Sequence, residues 1–373
     1  MDSMLGLIFA YRSYSGMGEL VSPRTTASVP FGGRYRPIDF CLSNLTNAGV
    51  TDVGIILRDS YQSLMDHLGS GRDWDLSRKN GGLFLLPPFS YGGEHQGPAT
   101  TFTGKLDALA GVTSYIRHSR EPYVALVDGD CITNLRLREV LAHHIASGAD
   151  ITAVCTRQPC GDPSHSVYFR LDETGRVSAI ESHPAAAGAN ESLGLFIMEK
   201  KLLLELIDTG RAGDMVHFER GILRMMLSRL RVLPYFHDGY IARLHTTAMY
   251  FRNSMALLDP AVRRDLFSRD NPIRTRVRDN APTYYAESAR VRNSLIADGC
   301  RIEGTVENSI LFRGVTVAPG AVVRDSVVMQ SSAIGKGACL GYVIADKRVR
   351  IGAGSDLHGS VTYPFVIAKG MSV

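Results

Sequence analysis

The chain has 373 residues, which is enough for two domains with separate cores. Apolar residues make up 45%, charged residues 21%, and the net charge is only +4, so the composition is globular and gives no electrostatic reason to expect nucleic-acid binding. The six cysteines form no CxxC pair and have no histidine at zinc spacing, and the sequence contains no leader-like start and no 18-residue apolar run, so we expect a reduced, cytoplasmic protein without membrane contact.

Short apolar runs alternate with segments of helical periodicity up to about residue 245. The strand candidates are LGLIFA (5–10), DVGIIL (52–57), YVALV (123–127), DITAVC (150–155) and LGLFIM (193–198). Between them, PIDFCLSNLTNAG, SYQSLMDHLG, DALAGVTSYIRHS and LREVLAHHIASG place apolar residues three and four positions apart. This alternation predicts an α/β domain over residues 1–245, with a mostly parallel sheet between two layers of helices.

The pattern changes after residue 245. Residues 246–290 predict a linker, first helical with an interruption at Pro260 and then polar and extended. Within 291–373, the segments NSLIADGCRIEG, NSILFRGVTVAPG, DSVVMQSSAIGKG and YVIADKRVRIGAG start at 293, 308, 325 and 342. This repeat predicts a parallel β-helix with three short strands per coil. An antiparallel sandwich is the alternative, although only Asp298-Gly299 offers a hairpin dipeptide.

One long motif links the chain to a known family. VPFGGRYRPIDFCLSNLTNAGV (29–50) resembles the signature AVPFGGKYRLIDFxLSNxxNSGI of the glucose-1-phosphate adenylyltransferases, and SYQSLMDHLGSGRDWDL (60–76), GGLFLLPP (81–88) and GKLDALAG (104–111) match in order. The run DHLGSGRDWDLSRKNGGLFLLPP resembles the GlgD-type regulatory subunit. The resemblance implies a Rossmann-like nucleotidyltransferase domain followed by a left-handed β-helix.

The family resemblance also implies an activity and an assembly. Its members join ATP and glucose 1-phosphate into ADP-glucose and pyrophosphate for glycogen biosynthesis, with magnesium as the cofactor. A GlgD-type chain would assemble with a catalytic glucose-1-phosphate adenylyltransferase subunit, or with itself, as a tetramer. A sugar-phosphate or nucleotide effector is expected to act on that assembly.

The nucleotide loop departs from the family. Catalytic members resemble LAGGxGxRLxPLTxxRAKPAVPFGG, where glycine backbone N–H groups hold the phosphates. Here Ala10 matches the strand end, Tyr11 and Arg12 fall on the glycine pair, Arg24 matches the arginine of RAKP, and Thr26 replaces the lysine. These matches make Ala10, Tyr11, Arg12 and Arg24 nucleotide-binding candidates. A surface loop that binds no ligand is the alternative.

Base and sugar recognition is retained only in part. The stretch GKLDA (104–108) keeps Gly104 and Asp107 of the family's G-T-A-D-A, so both are nucleotide-binding candidates. ESLGLF (191–196) resembles the sugar-contacting run ASMGIY and keeps Ser192 and Gly194 as sugar-binding candidates. Helix capping by the aspartate and a strand role for the glycine are the alternatives.

The magnesium site is also altered. The resemblance places a first metal aspartate at Asp130, with Asp128 two residues earlier, and a turn or helix cap is the alternative role. The second metal aspartate of GYWxDVGT is replaced by Arg243 in GYIARLHT, and His245 follows at the position of the next glycine. A guanidinium repels a divalent cation, so we expect two-carboxylate magnesium chelation to be absent.

The motif that binds the sugar phosphate is the last of the altered motifs. The lysine of the family's F-x-E-K-P motif is replaced by His183 in AIESHP, and histidine is shorter and mostly neutral at pH 7. An exposed loop histidine is the alternative reading of this position.

Four substitutions at independent devices predict a catalytically impaired, regulatory subunit. The alternatives are an active nucleotidyltransferase with altered metal or substrate use, in which Tyr11 stacks on a base and Arg12 or Arg243 binds phosphate, and a hexapeptide acyltransferase. The latter needs a histidine in a loop extruded from the coils, which offer only His358.

Overall fold

The computed structural model describes residues 3–87, 102–182 and 190–373, so His183 lies outside the described residues. The strands of the first domain are β1 (Met4–Phe9), β2 (Asp52–Ile56), β3 (Gly82–Leu86), β4 (Tyr123–Asp128), β5 (Cys131–Thr133), β6 (Ile151–Thr156), β7 (Tyr168–Leu171), β8 (Val177–Glu181), β9 (Asn190–Glu199), β10 (Val232–Phe236) and β11 (Ile241–Arg243). The helices are α1 (Pro37–Asn47), α2 (Gln62–Leu68), α3 (Lys105–Gly111), α4 (Thr113–His118), α5 (Leu137–Ser147), α6 (Lys200–Ala212), α7 (Arg224–Met226), α8 (Thr247–Ala256) and α9 (Pro260–Leu266). Short 3₁₀ segments cover Ser15–Leu20, Thr26–Ser28 and Arg72–Trp74, and a π-helix covers Phe218–Leu223.

The central sheet of the first domain has the order β10-β6-β9-β4-β1-β2-β3, with β7 and β8 attached beside β9. Strand β9 runs antiparallel to both β4 and β6, whereas β1 with β2, β1 with β4, β2 with β3 and β6 with β10 are parallel. The central strands β1, β4, β6 and β9 are buried along nearly their whole length, because apolar clusters cover both faces of the sheet. The predicted mostly parallel α/β domain is confirmed.

The C-terminal domain is a parallel β-helix of three five-stranded sheets. Its strands are β12 (Tyr284–Tyr285), β13 (Arg290–Arg292), β14 (Leu295–Ile296), β15 (Arg301–Ile302), β16 (Thr305–Glu307), β17 (Ile310–Leu311), β18 (Thr316–Val317), β19 (Val322–Arg324), β20 (Val327–Val328), β21 (Ala333–Ile334), β22 (Cys339–Gly341), β23 (Val343–Ala345), β24 (Arg350–Ile351), β25 (Asp356–His358) and β26 (Phe365–Ile367). Each strand from β12 to β23 pairs in parallel with the strand three positions later. The parallel pairing excludes the antiparallel sandwich.

The repeat found in the sequence marks one corner in each of the first four of the five coils. Asn293, Asn308, Asp325 and Tyr342 all have positive φ, between 42° and 55°. Asparagine and aspartate tolerate this left-handed backbone better than most other side chains, because their short polar groups bond locally. The first coil already begins at β12, so the β-helix includes residues that the sequence assigned to the linker.

The two domains pack together through a shared apolar cluster. Phe31, Phe40 and Tyr250 of the first domain and linker lie in one buried cluster with Ile310 and Phe312 of the β-helix. Arg24 adds a buried ion pair across the junction, since its Nη1 and Nη2 donate to Asp346 Oδ1 and Oδ2 at 3.0 and 2.6 Å. Over the ranges described, no helix has the length and apolar character needed to cross a bilayer.

Candidate active site

A cavity of about 360 Å³ opens at the carboxyl ends of β1 and β4. Ligands of α/β sheets commonly bind at this edge, where the loops that follow parallel strands converge. The loop after β1 contributes Tyr11, Arg12 and Tyr14, the end of β4 contributes Asp128, and α3 begins with Lys105 at the cavity. The end of β11 and the chain after it supply Arg243 and His245.

Asp130 is buried, and protein groups already bind both of its carboxylate oxygens. Arg243 Nη1 donates to Asp130 Oδ1 at 2.9 Å, and the hydroxyl of Tyr14 donates to Asp130 Oδ2. Burial alone would raise the pKa of Asp130, but Arg243 and Arg12 outweigh it and lower the pKa below the usual range. Asp130 is therefore ionised and neutralised from within the chain.

Asp128 is held in the same way by two other cations. Lys105 Nζ lies 2.9 Å from Asp128 Oδ1, and Arg12 Nη1 lies 3.5 Å from Asp128 Oδ2. Lys105 also donates a hydrogen bond to Glu219 in the π-helix. Burial would raise the pKa of Glu219, but Lys105 and Arg12 lower it overall.

These side chains form what we call the ionic cluster, in which three cations face three carboxylates. Its members are Arg12, Lys105, Asp128, Asp130, Glu219 and Arg243. A magnesium ion needs carboxylate oxygens that are free to coordinate it. The Arg243 guanidinium, 2.9 Å from Asp130, occupies the place next to the carboxylate and would repel a metal cation there. The residues present do not fit the magnesium implied by the family resemblance.

The loop after β1 fills space with aromatic side chains. The Tyr11 ring packs edge-on against Phe102 at 4.7 Å between centroids, and the Arg58 guanidinium lies 5.4 Å from the Tyr11 ring centre. Only 6% of Tyr11 is exposed, and burial raises its pKa to about 12. Tyr11 is thus mainly a packed side chain, so little of its ring is available for stacking on a base.

The histidines near the cavity are arranged around Tyr14. Its ring lies 4.4 Å from His245 and 5.0 Å from His165. Burial lowers the pKa of His245 to about 4, and its Nδ1 accepts the backbone N–H of Asp162 at 2.9 Å. His245 is consequently neutral at pH 7 and adds no charge to the cluster.

The predicted sugar side lies on β9, next to the ionic cluster. Ser192 and Gly194 both line the cavity, and Arg243 Nη2 donates to the Ser192 carbonyl at 3.2 Å. Gly194 has φ +69°, and a Cβ there would overlap the carboxylate of Asp128. Glycine at 194 therefore allows β9 to approach the carboxylate directly.

The structure brings together only part of the predicted site. Tyr11, Arg12, Gly104, Ser192, Gly194 and Arg243 all line the cavity. Ala10 is buried directly after the end of β1. Asp107 accepts a hydrogen bond from the backbone N–H of Thr103 at 3.1 Å, which is the helix-capping role given above as its alternative. Arg24 was proposed to bind nucleotide, but its guanidinium is instead committed to Asp346 at the domain junction.

Sequence reasoning missed Lys105, Glu219 and Tyr14 as parts of the site. Two of them could have been found from the sequence. Lys105 is one of the residues that differ from the family motif in the GKLDA stretch, and Tyr14 lies in the altered loop after β1. Glu219 carried no signal, because its contact with Lys105 joins residues 114 positions apart.

Comparison with known proteins agrees with this fold. A family model described as nucleotidyl transferase matches residues 19–233, and one described as GlmU-like, C-terminal hexapeptide matches residues 281–358. The chain thus consists of a domain of the nucleotidyl transferase family joined to a hexapeptide-repeat domain, which is consistent with the left-handed form of the β-helix.

Curated relatives narrow the class. The chain is 33% identical to the glycogen biosynthesis protein GlgD of Bacillus subtilis (strain 168), over 99% of this chain and 97% of that protein. It is 38% identical to GlgD of Geobacillus stearothermophilus, over 86% and 83%. Identity is 31% with the glucose-1-phosphate adenylyltransferase of Bacillus cereus (strain Q1), over 94% and 93%. The chain belongs to the glucose-1-phosphate adenylyltransferase family, together with the GlgD proteins.

Proposed function

We propose that this chain is a catalytically impaired subunit of a glucose-1-phosphate adenylyltransferase and that it regulates a catalytic relative in glycogen biosynthesis. The observation that carries the proposal is the pairing of Arg243 with Asp130 at 2.9 Å. In-line transfer to a nucleotide phosphate depends on a cation that neutralises charge developing between ATP and the sugar phosphate. A guanidinium already bound to the carboxylate competes with that cation for the same position.

The loss of activity is tested with the purified chain alone. We expect no ADP-glucose formation above the enzyme-free rate when ATP, glucose 1-phosphate and magnesium are supplied, with a catalytic relative run in parallel as the positive control. Robust ADP-glucose formation that Asp130→Asn abolishes, with the variant's fold verified by circular dichroism, would show that the chain is itself an enzyme.

The regulatory role is tested by coexpression with a catalytic glucose-1-phosphate adenylyltransferase subunit. We expect the two chains to copurify as a hetero-oligomer, with a tetramer as the family-type assembly, and the maximal rate, effector response or stability of the partner to change. A partner whose kinetics, effector response and thermal stability are the same with and without this chain removes the regulatory proposal.

A second cavity supports an anionic effector such as a sugar phosphate. It measures about 450 Å³ and is lined by five arginines and two aspartates: Arg34, Arg274, Arg276, Arg278, Arg313, Asp73 and Asp298. Arg313 pairs with Asp298 at 3.0 Å, which leaves an excess of positive charge suited to phosphate. We expect Arg278→Ala to weaken sugar-phosphate binding to the hetero-oligomer, measured by calorimetry, whereas Arg269→Ala outside this cavity serves as the control.

Residual nucleotide binding is the alternative function that one observation favours. Arg12 keeps 30% of its side chain exposed while lining the first cavity, so it can contact phosphate without magnesium. Metal-independent ATP binding that Arg12→Ala removes would support it. The acyltransferase alternative finds no such support, because His358 lies within strand β25 and not in an extruded loop.

A further inference from the structure

The geometry points to a zinc-binding site on the outer face of the β-helix, formed by Cys339, Asp356 and His358. One possible ligand atom from each of these side chains lies within 4.8 Å of the other two. The site belongs to the second domain and is independent of the ionic cluster. Asp356 and His358 follow Cys339 by 17 and 19 positions in the chain, so no zinc-binding spacing is visible in the sequence.

The β-helix register creates this cluster. Strands β22 and β25 are parallel neighbours, with Cys339 opposite Asp356 and Gly341 opposite His358. The side chain of Leu340 between Cys339 and Gly341 is fully buried, so residues on either side of it face outward. Two successive coils therefore present a thiol, a carboxylate and an imidazole on one surface.

Local packing holds the imidazole next to the carboxylate. His358 Nε2 lies 2.7 Å from Asp356 Oδ1, so the ring is turned toward the carboxylate and lies over Gly341. A Cβ at position 341 would come within 2.5 Å of His358 Nδ1. Glycine at 341 leaves the space in which the ring can lie along the strand.

The donor set selects a transition metal of the zinc type. Thiolate, imidazole and carboxylate are all zinc ligands, whereas magnesium and calcium prefer oxygen ligands alone. Zinc–ligand distances of about 2.0–2.3 Å place tetrahedral ligand atoms roughly 3.3–3.8 Å apart, which small rotations of surface side chains reach from the observed separation. Asp356 and His358 are exposed, and β25 is the edge strand of its sheet. The fourth coordination position of a bound zinc ion is therefore open to water.

Zinc at this position would join the last two coils of that sheet. We expect the full, untagged chain to bind one equivalent of Zn²⁺ in calorimetric titration. With Co²⁺ in place of Zn²⁺, we expect the thiolate-to-metal charge-transfer band and the visible absorption of a tetrahedral centre. Zn²⁺ should also raise the midpoint temperature of unfolding, because it binds the folded β-helix and not the unfolded chain.

Variants locate the site. Cys339→Ser and His358→Ala should each weaken Zn²⁺ binding at least tenfold and remove the thermal shift, while circular dichroism stays that of the wild type. Cys160→Ser and His118→Ala, a half-buried thiol and an exposed imidazole elsewhere, should bind Zn²⁺ as the wild type does. Absence of the charge-transfer band, or unchanged affinity in Cys339→Ser or His358→Ala, would overturn the proposal.

Discussion

Arg243 occupies the position at which the family resemblance implies a metal-binding carboxylate. Its guanidinium reaches Asp130 at 2.9 Å and also lies 4.0 Å from Asp128, so one side chain bridges both aspartates at the end of β4. A buried carboxylate without a partner is costly, and removing one member of a buried pair typically destabilises a protein by about 3–5 kcal/mol. The cluster is therefore part of the fold as well as of the cavity.

Replacing Arg243 with aspartate should create a metal site in place of the ion pair. Without metal, Arg243→Asp should be destabilised, because extra negative charge lies beside Asp128 and Asp130. Mn²⁺ at a hundredfold excess over its Kd should restore about 2–3 kcal/mol. Thermal unfolding and Mn²⁺ electron paramagnetic resonance measure both effects.

Arg243→Leu is the matched control for this substitution, because it removes the cation without adding a ligand. Mn²⁺ should stabilise neither this control nor the wild type. A Mn²⁺-dependent stabilisation of the wild type equal to that of Arg243→Asp would contradict our description of the cluster.

Gly194 provides a test of how closely β9 approaches Asp128. Gly194→Ala combines a positive φ with overlap against the carboxylate, so it should cost about 2–5 kcal/mol in the free energy of unfolding. Gly175→Ala has φ +78° with open space around it and should cost about 1–2 kcal/mol. Urea unfolding of both variants separates the overlap from the backbone strain, and equal losses would argue against the close approach.

At the scale of single residues, the sequence identified those site residues that lie within a family motif. Arg243, Tyr11 and Arg12 could be located because each replaces a residue in a recognisable pattern, and all three line the cavity. The partners of Lys105 could not be located, since Asp128 and Glu219 reach it only through the folded sheet and the π-helix. Arg24 was misassigned because Asp346, which binds it, lies 322 residues away.

The elements of the β-helix follow a simple rule at their corners. The residue that starts each repeat adopts positive φ, and in three of the four repeats it is asparagine or aspartate. Asn293 Nδ2 also donates to Asn308 Oδ1 at 2.9 Å, so the first two corners bond to each other. The sequence predicted the repeat and its period because this corner chemistry recurs along the chain, whereas it placed the first coil too late because β12 lacks that signature.

Asn308 tests the corner rule. Asn308→Val should cost about 1–2 kcal/mol more than Asn308→Gly, because a β-branched residue resists the left-handed backbone that glycine adopts freely. Both variants lose the same bond to Asn293, so the difference in their free energies of unfolding reports the backbone alone. Equal stability of the two variants would show that the corner is not under this constraint.

Taken as a whole, the molecule is held together at the junction of its domains by apolar packing and by the buried ion pair of Arg24 with Asp346. Both Arg24 and Asp346 are almost completely inaccessible to solvent, at 1% and 0% of the side chain. Burial of the pair leaves each charge dependent on the other. The order of the domains was predictable from the change of sequence pattern near residue 245. The ion pair at the junction was not predictable, because nothing in the sequence around Arg24 or Asp346 indicates that the two residues meet.

Breaking the junction pair should weaken the whole protein. Asp346→Asn leaves the Arg24 guanidinium buried without a counter-charge and should cost about 3–5 kcal/mol, whereas Glu307→Gln, which breaks the exposed pair with Arg324, should cost less than about 1 kcal/mol. The double variant Arg24→Met with Asp346→Leu should recover most of the loss. Urea unfolding measures all three, and a loss for Asp346→Asn no larger than for Glu307→Gln would contradict the role of the pair.

Lys347 beside this junction should make stability depend on pH. Burial, followed by the charges of Arg36 and Arg24, lowers its pKa to about 7, below the value in the unfolded chain. Between about pH 7 and about pH 10.5 the unfolded state binds more protons, so this residue's contribution to the free energy of unfolding rises with pH. Lys347→Met should be more stable than the wild type at pH 7, with a difference that shrinks toward pH 10 in thermal melts. A difference that is constant or that grows with pH would contradict the lowered pKa.

The ionic cluster also has an evolutionary consequence. A return to the two-aspartate arrangement through Arg243→Asp would leave three buried carboxylates short of counter-charge until a metal ion is bound. Because the metal-free form of such a variant is expected to be unstable, this reversal depends on a supply of the metal ion. Descendants of this chain should therefore vary at the cavity rim, at positions such as Ser164 and Arg220, more freely than at the paired charges beneath it.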